Sequence, residues 1–369
     1  MTHPTVPFLD LHRQHAALGP AIELAMKAVL DSGHFVLGQQ VARFEEEFAS
    51  FVGTSFAVGV ASGTDALELG LVALGIGAGD EVVTVANAGA PTICAIRSTG
   101  ATPVLADVDP LTLTLDPASA EACLTARTRA LLPVHLYGQC ADLAAITGLA
   151  RRRGLRVVED CAQAHGATFD GRGAGSFGDV GCFSFYPTKN LGGIGDGGMV
   201  VTHDAGIART IRQLRMYGEA SARHSVNPRG RNSRLDELQA AILRVKLPHL
   251  AGWNARRRDI ARRYAAGLAT TGLTLPHVAE GRTHVYHLYV VRSAARDLVR
   301  SRLNEQGVET LVHYERPVYR HEAFLDLADA PQRLPETERA VSEVLSLPLY
   351  PELTDAEVET VIEAVHSAS

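Results

Sequence analysis

The feature that most constrains the fold is a regular alternation of short apolar runs and longer amphipathic segments between residues 55 and 160. The apolar runs predict buried strands at 55–60, 81–86, 103–108, 130–135 and 155–159. The segments between them carry apolar residues at helical spacing and predict helices at 64–74, 91–98, 117–125 and 143–153. Apolar strands that alternate with helices are typical of a mostly parallel sheet covered on both faces. The predicted fold class is therefore α/β.

The pattern changes along the rest of the chain. Two further strands are predicted with little helix between them, and two helices follow, at 180–185, 199–203, 205–216 and 233–266. From about residue 281 the pattern predicts a small α+β unit with strands at 287–292 and 308–312 and helices at 294–306, 336–345 and 354–367. A length of 369 residues suits two domains. We predict a large domain over 1–250, which begins with a helical lead-in, and a small C-terminal domain over 251–369.

Composition excludes several classes of partner and site. A net charge of -6 gives no basic surface for nucleic acid or for an anionic membrane. The chain has no run of 18 apolar residues and no signal-peptide pattern at its start, which predicts a cytoplasmic location. Its five cysteines are widely spaced and form no Cys-x-x-Cys pair, so we predict neither a disulfide framework nor a metal site.

Two glycine-rich segments match the dinucleotide-binding pattern Gly-x-Gly-x-x-Gly, at 173–178 and 193–198. That pattern binds pyrophosphate only where a strand precedes it and a helix follows it. Both segments here lead into predicted strands. The sequence therefore argues against a Rossmann dehydrogenase.

A stronger candidate for anion binding is SGTD at 62–65, which follows a predicted strand and opens a predicted helix. Free N–H groups at the helix start and the two hydroxyl groups suit a phosphate, although an ordinary N-cap at Ser62 or Thr64 remains the alternative. Asp160 ends another strand, where ligands of open α/β sheets bind.

The chain has only three lysines among its 35 basic residues: Lys27, Lys189 and Lys246. Lys27 and Lys246 fall within predicted helices, and we expect both to lie at the surface. Lys189 falls in a glycine-rich turn just after the strand that ends at Phe185. Chemistry that needs a primary amine is therefore predicted to use Lys189.

An amine, a carboxylate beyond a strand end and a phosphate cradle are the three anchors of pyridoxal 5'-phosphate (PLP). The lysine bonds the cofactor's aldehyde. The carboxylate keeps the ring nitrogen protonated, so that the ring can accept electrons. Lys189, Asp160 and the 62–65 segment supply these three groups, and PLP is the predicted cofactor.

With these residues in place, the sequence closely resembles the DegT-type sugar aminotransferases, a branch of the aspartate-aminotransferase-like (fold-type I) PLP enzymes. The resemblance runs from residue 7 to about residue 319. Its motifs are ASGTDAL (61–67), GDEV (79–82), GATPV (100–104), PVHLYG (133–138), EDCAQAHG (159–166), SFYPTKNLGGIGDGG (184–198) and NSRLDELQA (232–240). The resemblance implies a mostly parallel, seven-stranded type of sheet in the large domain.

The resemblance also implies roles for individual residues. Lys189 would be the Schiff-base lysine and Asp160 the partner of the ring nitrogen, and Gln163 would contact the hydroxyl side of the ring. Phosphate would be bound by Ser62, Gly63, Thr64 and Ser184. Asn232 would reach the phosphate of the neighbouring subunit, since family members are dimers with sites at the interface. His313 and Tyr314 would close over the substrate, and Tyr186 is a further candidate for which simple packing is the alternative.

One segment departs from the family pattern. Members usually carry an aromatic ring over the cofactor, on the loop after the strand at 81–86, but this loop reads NAGAPT (87–92). Stacking would then fall to Pro91, to Ala90 or to a residue from elsewhere in the chain.

The predicted function is transfer of an amino group from L-glutamate to a keto group of a nucleotide-linked hexose in amino-sugar biosynthesis. Lys189 argues against the dehydratase subgroup of the family, in which histidine replaces the lysine. The alternatives are a keto-cyclitol or aminobenzoate-type aminotransferase and a non-enzymatic regulator on the same fold.

Overall fold

The computed structural model describes residues 6–221, 223–327 and 334–368. The first nine strands of the chain are β1 (Phe56–Val60), β2 (Glu81–Val85), β3 (Thr102–Ala106), β4 (Thr128–Leu131), β5 (Arg156–Asp160), β6 (Thr168–Phe169), β7 (Arg172–Gly173), β8 (Val180–Ser184) and β9 (Gly198–Thr202). Strands β6 and β7 form a small hairpin, and the other seven form one sheet in the order β1-β9-β8-β5-β4-β2-β3. Neighbouring strands are parallel except for β9, which is antiparallel to both β1 and β8. The predicted α/β class with a mostly parallel sheet is confirmed.

Helices cover the sheet and precede it. They are α1 (Leu11–Ser32), α2 (Gln39–Val52), α3 (Gly63–Ala73), α4 (Ala90–Ser98), α5 (Pro117–Ala122), α6 (Leu143–Arg153), α7 (Ala205–Leu214), α8 (Glu237–Lys246) and α9 (Leu250–Gly267). Several begin after a side chain that accepts a hydrogen bond from a first-turn N–H group, namely Asp10, Ser62, Asp116, Asp142 and Asp204. Such caps satisfy donors that the helix itself leaves unpaired, which fixes where these helices begin.

The C-terminal part is an α+β unit with its own core. Its elements are β12 (Tyr289–Arg292), α10 (Arg296–Glu305), α11 (Pro335–Glu343), β13 (Val344–Leu347) and α12 (Asp355–Ala368). Two short strands, β10 (Glu219–Ser221) and β11 (His224–Ser225), pair with each other between α7 and α8, before this unit begins. Strands β12 and β13 pair antiparallel, and their apolar residues pack with α9, α10 and α12. Val6 bridges to Val308, so the start of the chain joins this unit. The predicted division at residue 250 stays a prediction.

Some element predictions were wrong in detail. The helix predicted over 233–266 is interrupted by a 3-10 turn, Leu247–His249, in which Pro248 lacks the N–H group that a continuous helix needs. The strand predicted over 308–312 makes only isolated bridges, at Val308 and Leu311. Residues 344 and 345, predicted as the end of a helix, begin β13 instead.

The two lysines predicted at the surface behave differently. Lys27 is exposed and pairs with Asp31 one helical turn away. Lys246 has no exposed surface, so the surface prediction was wrong for this residue. Its amine donates to the carbonyl oxygen of Gly192 at 2.8 Å and lies 3.3 Å from the ring Nε2 of His15 on α1.

None of the helices in the described residues combines the length and the apolar character that a membrane crossing requires. No disulfide bond joins any of the five cysteines, all of which lie among the described residues.

Candidate active site

Three strands end at the same edge of the sheet and deliver the predicted polar residues there. Because β9 is antiparallel to both β1 and β8, these two strands run in the same direction as β5. Val60 and Ser184 flank Gly198 from its two sides, while Asp160 pairs with Cys182 on β8. The register therefore brings the segment after β1, the end of β5 and the turn after β8 together.

The candidate phosphate cradle is the N-terminus of α3. The Ser62 hydroxyl accepts a hydrogen bond from the N–H of Asp65, so Ser62 is the N-cap of this helix. A Cβ at Gly63 would meet the Cβ of Ser184 at 2.6 Å, and one at Gly198 would collide with the carbonyl oxygen of Ser62. Glycine at these two positions lets the helix start press against Ser184. Gly198 is the last glycine of the Gly-x-Gly-x-x-Gly match at 193–198, and close packing against Ser62 accounts for a glycine at this position.

Asp160 is buried and held in one orientation. One carboxylate oxygen accepts from the hydroxyl of Thr92 at 2.9 Å and the other from the N–H of Ala162 at 3.1 Å. Burial raises the pKa of Asp160, while these hydrogen bonds and the Lys189 charge act in the opposite direction. Sequence reasoning missed Thr92, because only the packing of α4 against the sheet edge brings it to Asp160.

Lys189 follows a tight turn in which its N–H group donates to the carbonyl oxygen of Tyr186 at 2.9 Å. Burial lowers the pKa of the Lys189 amine to about 8, and the Asp160 charge acts in the opposite direction. A neutral amine is the nucleophilic form, so this environment activates Lys189 near neutral pH.

Three side chains from α8 and α9 form hydrogen bonds with the turn that carries Lys189. Lys246 holds the carbonyl of Gly192, as described above. The side-chain oxygen of Gln239 accepts a hydrogen bond from the N–H of Ile194 at 2.8 Å, and its amide nitrogen donates to the Ile194 carbonyl oxygen at 3.1 Å. Asn254 accepts from the amide of Asn190 at 2.9 Å. Because each bond fixes a different part of the turn, the Lys189 backbone is set by contacts with two helices.

Gln163 lies close to the aromatic residues of the site. Its side-chain oxygen accepts from the N–H of Tyr137 at 2.7 Å, and the Tyr137 hydroxyl donates to the carbonyl oxygen of His313. Tyr137 is buried. Gln163, which is predicted to contact the cofactor ring, is thereby linked to the small unit that carries His313.

Tyr314 faces the loop that lacks the family aromatic. A Cβ at Gly89 would lie 3.4 Å from both the hydroxyl oxygen and the ζ carbon of Tyr314. The phenol therefore lies beside Gly89, at the distance at which a side chain there would touch it. Its pKa is raised by burial and by the Asp160 charge, which places the phenol on the Asp160 side of the site. His313, its neighbour, has its Nδ1 2.8 Å from the Ser346 hydroxyl.

Two other predicted residues lie at the surface. Asn232 is exposed and forms an isolated bridge with Met216. Tyr186 is 53% exposed, so the packed interpretation was wrong for this residue. The backbone N–H of Tyr186 donates to the Ser184 hydroxyl at 3.3 Å, and the side chains of both residues are accessible to a second molecule.

A buried group of potential metal ligands, His135, Glu159 and Cys161, lies behind Asp160. The Glu159 carboxylate accepts from the N–H groups of residues 175, 177 and 178 and lies 3.0 Å from the ring Nε2 of His135. Burial opposes these bonds, but they lower the pKa of Glu159 overall. Since its oxygens are already engaged, this group supports the strand ends next to Asp160.

The residues present fit PLP. The donor set contains an amine whose pKa is about 8, a buried carboxylate within reach of its charge, and a helix start with free N–H groups. Ser62, Gly63, Thr64 and Ser184 could donate hydrogen bonds to the phosphate of such a cofactor, and the Asp160 carboxylate could hold a proton on its ring nitrogen.

Comparison with known proteins gives consistent results. The sequence model of the DegT/DnrJ/EryC1/StrS aminotransferase family matches residues 17–366. The dTDP-3-amino-3,4,6-trideoxy-alpha-D-glucose transaminase of Streptomyces venezuelae is 47% identical over 363 residues, which cover 98% of this chain and 96% of the relative. The UDP-N-acetyl-3-dehydro-alpha-D-glucosamine 3-aminotransferase of Acidithiobacillus ferrooxidans is 44% identical over 366 residues, which cover 99% and 98%. The crystal structure of S. venezuelae DesV in complex with a ketimine intermediate superimposes with a TM-score of 0.95 at 47% identity, covering 99% of this chain and 98% of that one.

Proposed function

The chain belongs to the DegT/DnrJ/EryC1/StrS aminotransferase family, and from that membership we propose that it transfers an amino group to a keto group of a nucleotide-linked hexose. It is a transaminase that depends on pyridoxal 5'-phosphate. The observation that carries the proposal is the meeting of Lys189, Asp160 and the N-terminus of α3 at one sheet edge. Such a product belongs to amino-sugar biosynthesis.

We further propose that the amino group is added at carbon 3 of the hexose. Both relatives named above are aminotransferases of 3-amino or 3-keto sugars, and they match this chain over nearly its full length. The name of one relative specifies a dTDP-linked sugar and that of the other a UDP-linked sugar. The proposed substrate of this chain is therefore a 3-keto-hexose linked to a pyrimidine nucleoside diphosphate.

L-Glutamate is the proposed amino donor, and a cytoplasmic homodimer is the proposed working form. The exposure of Asn232 and Tyr186 supports the dimer, because both side chains are free to reach the site of a second copy. None of the five cysteines is in a disulfide bond, which is consistent with a reducing compartment.

Each group at the sheet edge has a proposed task toward the cofactor. When bound, PLP supplies an aldehyde that takes up amines and a ring that accepts an electron pair. Ser62, Gly63, Thr64 and Ser184 hold its phosphate, and Asp160 holds the proton on its ring nitrogen. Gln163 contacts the ring hydroxyl, and Asn232 reaches the phosphate bound by the partner subunit. Tyr314, which lies beside Gly89, takes the place of the missing loop aromatic.

Lys189 has two proposed tasks. Its neutral amine bonds the cofactor and holds it between turnovers. With an amino donor in the site, the same Nζ would act as the group that moves the proton between the donor's Cα and the cofactor. His313 and, more peripherally, Tyr186 contact the substrates, with His313 on the inner side and Tyr186 at the entrance.

The test is a pair of half-reactions on the purified protein. The protein loaded with PLP should be yellow, L-glutamate should remove that colour, and a nucleotide-linked 3-keto-hexose should restore it. The substitution Lys189→Ala should abolish turnover by about 10⁴-fold or more, because covalent capture and proton transfer are both lost. Colourless protein after addition of PLP, or colour that L-glutamate leaves unchanged, would contradict the proposal.

A further inference from the structure

A cavity of about 300 Å³ lies between the Lys189 turn, the start of the chain and the C-terminal unit. Thr188, the residue before Lys189, forms part of its wall, together with Arg257, His287 and His313. The remaining wall is mainly leucine. This cavity is separate from the phosphate cradle at α3, and none of the tasks proposed above uses Arg257.

Arg257 is a buried cation whose hydrogen-bonding capacity is only partly used. The guanidinium is 4% exposed, and its hydrogen bonds are all donated by Nη1, to the carbonyl oxygens of Tyr286, His287 and Leu349. Its buried Nε has no hydrogen-bond partner. Among the described residues no carboxylate lies within ion-pair distance of Arg257. The charge of Glu352 acts on Arg257 from beyond that distance and opposes the fall that burial causes in the pKa of the guanidinium. A bound anion would give this buried cation a counter-ion in direct contact.

The groups around Arg257 favour an anion. Burial lowers the pKa of His287 far below its ordinary value, and the charges of Lys189 and Arg257 lower it further. Burial and the Lys189 charge lower the pKa of His313 to about 4. The acidic residue in the cavity wall is Glu309, which is exposed and accepts the N–H of Phe8 at 3.1 Å. Glu352, which acts on Arg257, is not part of the cavity wall, and burial raises the pKa of its carboxyl group. The wall beside Arg257 therefore consists of neutral groups.

We propose that this cavity is the subsite for the amino donor and that Arg257 binds a carboxylate of that donor. The inference rests on the proposed function, in which a dicarboxylic amino acid delivers its amino group at Lys189. Thr188 precedes Lys189 and lines this cavity, so the turn that carries the amine borders it. A donor anchored at Arg257 would direct its amino group toward Lys189.

The size of the cavity separates the two substrates. About 300 Å³ accommodates a five-carbon dicarboxylate, whereas a nucleotide-linked hexose is several times larger than such a molecule. The part of the cavity beside Arg257 is therefore large enough for the dicarboxylic amino donor but too small for the nucleotide-linked hexose.

Binding of glutarate, a five-carbon diacid that has no amino group and cannot react, tests the subsite. Isothermal titration calorimetry on the PLP-loaded protein should show glutarate binding. The substitution Arg257→Met should weaken it by about 100-fold, the loss expected when one member of a desolvated charge pair is removed. Arg256→Met is the matched control, because Arg256 lies on the same helix but bonds Asp259, Leu353 and Asp355, away from the cavity. Unchanged glutarate affinity in Arg257→Met would overturn the proposal.

A second pair of variants keeps the test valid if Arg257→Met does not fold. Leu311 lines the same cavity and is 43% exposed, so it tolerates polar substitution. Leu311→Glu should weaken glutarate binding by about 10-fold through charge repulsion, whereas Leu311→Gln should leave it unchanged. Equal glutarate affinities in these two variants would overturn the proposal.

Failure of the subsite and failure of the proposed function give different results. If the wild-type protein binds glutarate through Arg257 but cannot take an amino group from L-glutamate, the subsite stands and the proposed donor is wrong. If L-glutamate removes the colour of Arg257→Met as readily as that of the wild type, the subsite is wrong and the proposed transaminase function stands.

Discussion

Two buried ionisable groups at the site, Asp160 and Arg257, differ in how completely their polar atoms are paired. On the sheet-edge side, both oxygens of Asp160 accept hydrogen bonds and the Ser62 hydroxyl caps α3. On the C-terminal side, the buried Nε of Arg257 has no partner, and burial keeps His287 and His313 neutral. A preorganised, satisfied set of groups suits a cofactor that stays bound. Unused capacity suits a ligand that enters and leaves at every turnover.

The largest expected effect outside Lys189 comes from removing the Asp160 charge. Asp160→Asn keeps the shape of the side chain but no longer holds the proton on the ring nitrogen. We expect kcat to fall by about 10³-fold, the loss typical of one preorganised electrostatic partner. The measurement is steady-state turnover with L-glutamate and the keto sugar.

Asp204→Asn is the control for this change, because Asp204 is also a carboxylate that accepts backbone N–H groups but lies at the start of α7. Its kcat should equal that of the wild type. If Asp160→Asn keeps kcat within about tenfold, the sheet-edge side does not provide the electrostatic partner assigned to it.

The same division explains which parts of the site could be predicted from sequence. The cradle, Asp160 and Lys189 each follow a strand end within a few residues, so the order of strands and helices alone places them at one edge. Thr92, Lys246 and Arg257 act through contacts between elements far apart in the chain, and helical spacing does not distinguish such a residue from a surface one. Lys246 shows this most clearly, since its neighbours Val245 and Leu247 give no sign that the amine is buried.

Lys246 holds the turn that carries Lys189 through its hydrogen bond to the Gly192 carbonyl oxygen. Its removal should have an intermediate effect on turnover. Lys246→Met keeps the aliphatic chain but leaves the carbonyl of Gly192 without its donor, which loosens the Lys189 turn. We expect kcat to fall by about 30-fold while the KM for the keto sugar changes little, because a small misplacement of the reacting group affects the transition state more than substrate binding.

Lys27→Met is the matched control, since Lys27 is an exposed helix lysine that pairs with Asp31. A purely structural role for Lys246 would lower the free energy of unfolding without altering kcat of the folded enzyme. Measurement of both quantities on both variants separates positioning from stability.

The smallest expected effect concerns pH and the capture of PLP by the cofactor-free protein. Burial lowers the pKa of the Lys189 amine from its ordinary 10.5 to about 8. Below pH 8 the folded protein carries the ammonium form, which cannot attack the aldehyde, and above pH 8 it carries the neutral amine. The capture rate should therefore rise by about tenfold per pH unit up to pH 8 and then level off. Stopped-flow absorbance measures this rate, and N-acetyl-lysine treated in the same buffers corrects for ionisation of PLP itself.

The variant Asp160→Asn measures how much the Asp160 charge contributes to the pKa of the Lys189 amine. The Asp160 charge raises the pKa of Lys189, in opposition to burial. Without that charge the neutral amine is favoured at lower pH, so the midpoint of the capture profile should move below that of the wild type. A midpoint that stays in place would mean that burial alone sets the reactivity of Lys189, and a midpoint near 10.5 in the wild type would mean that the amine is solvated.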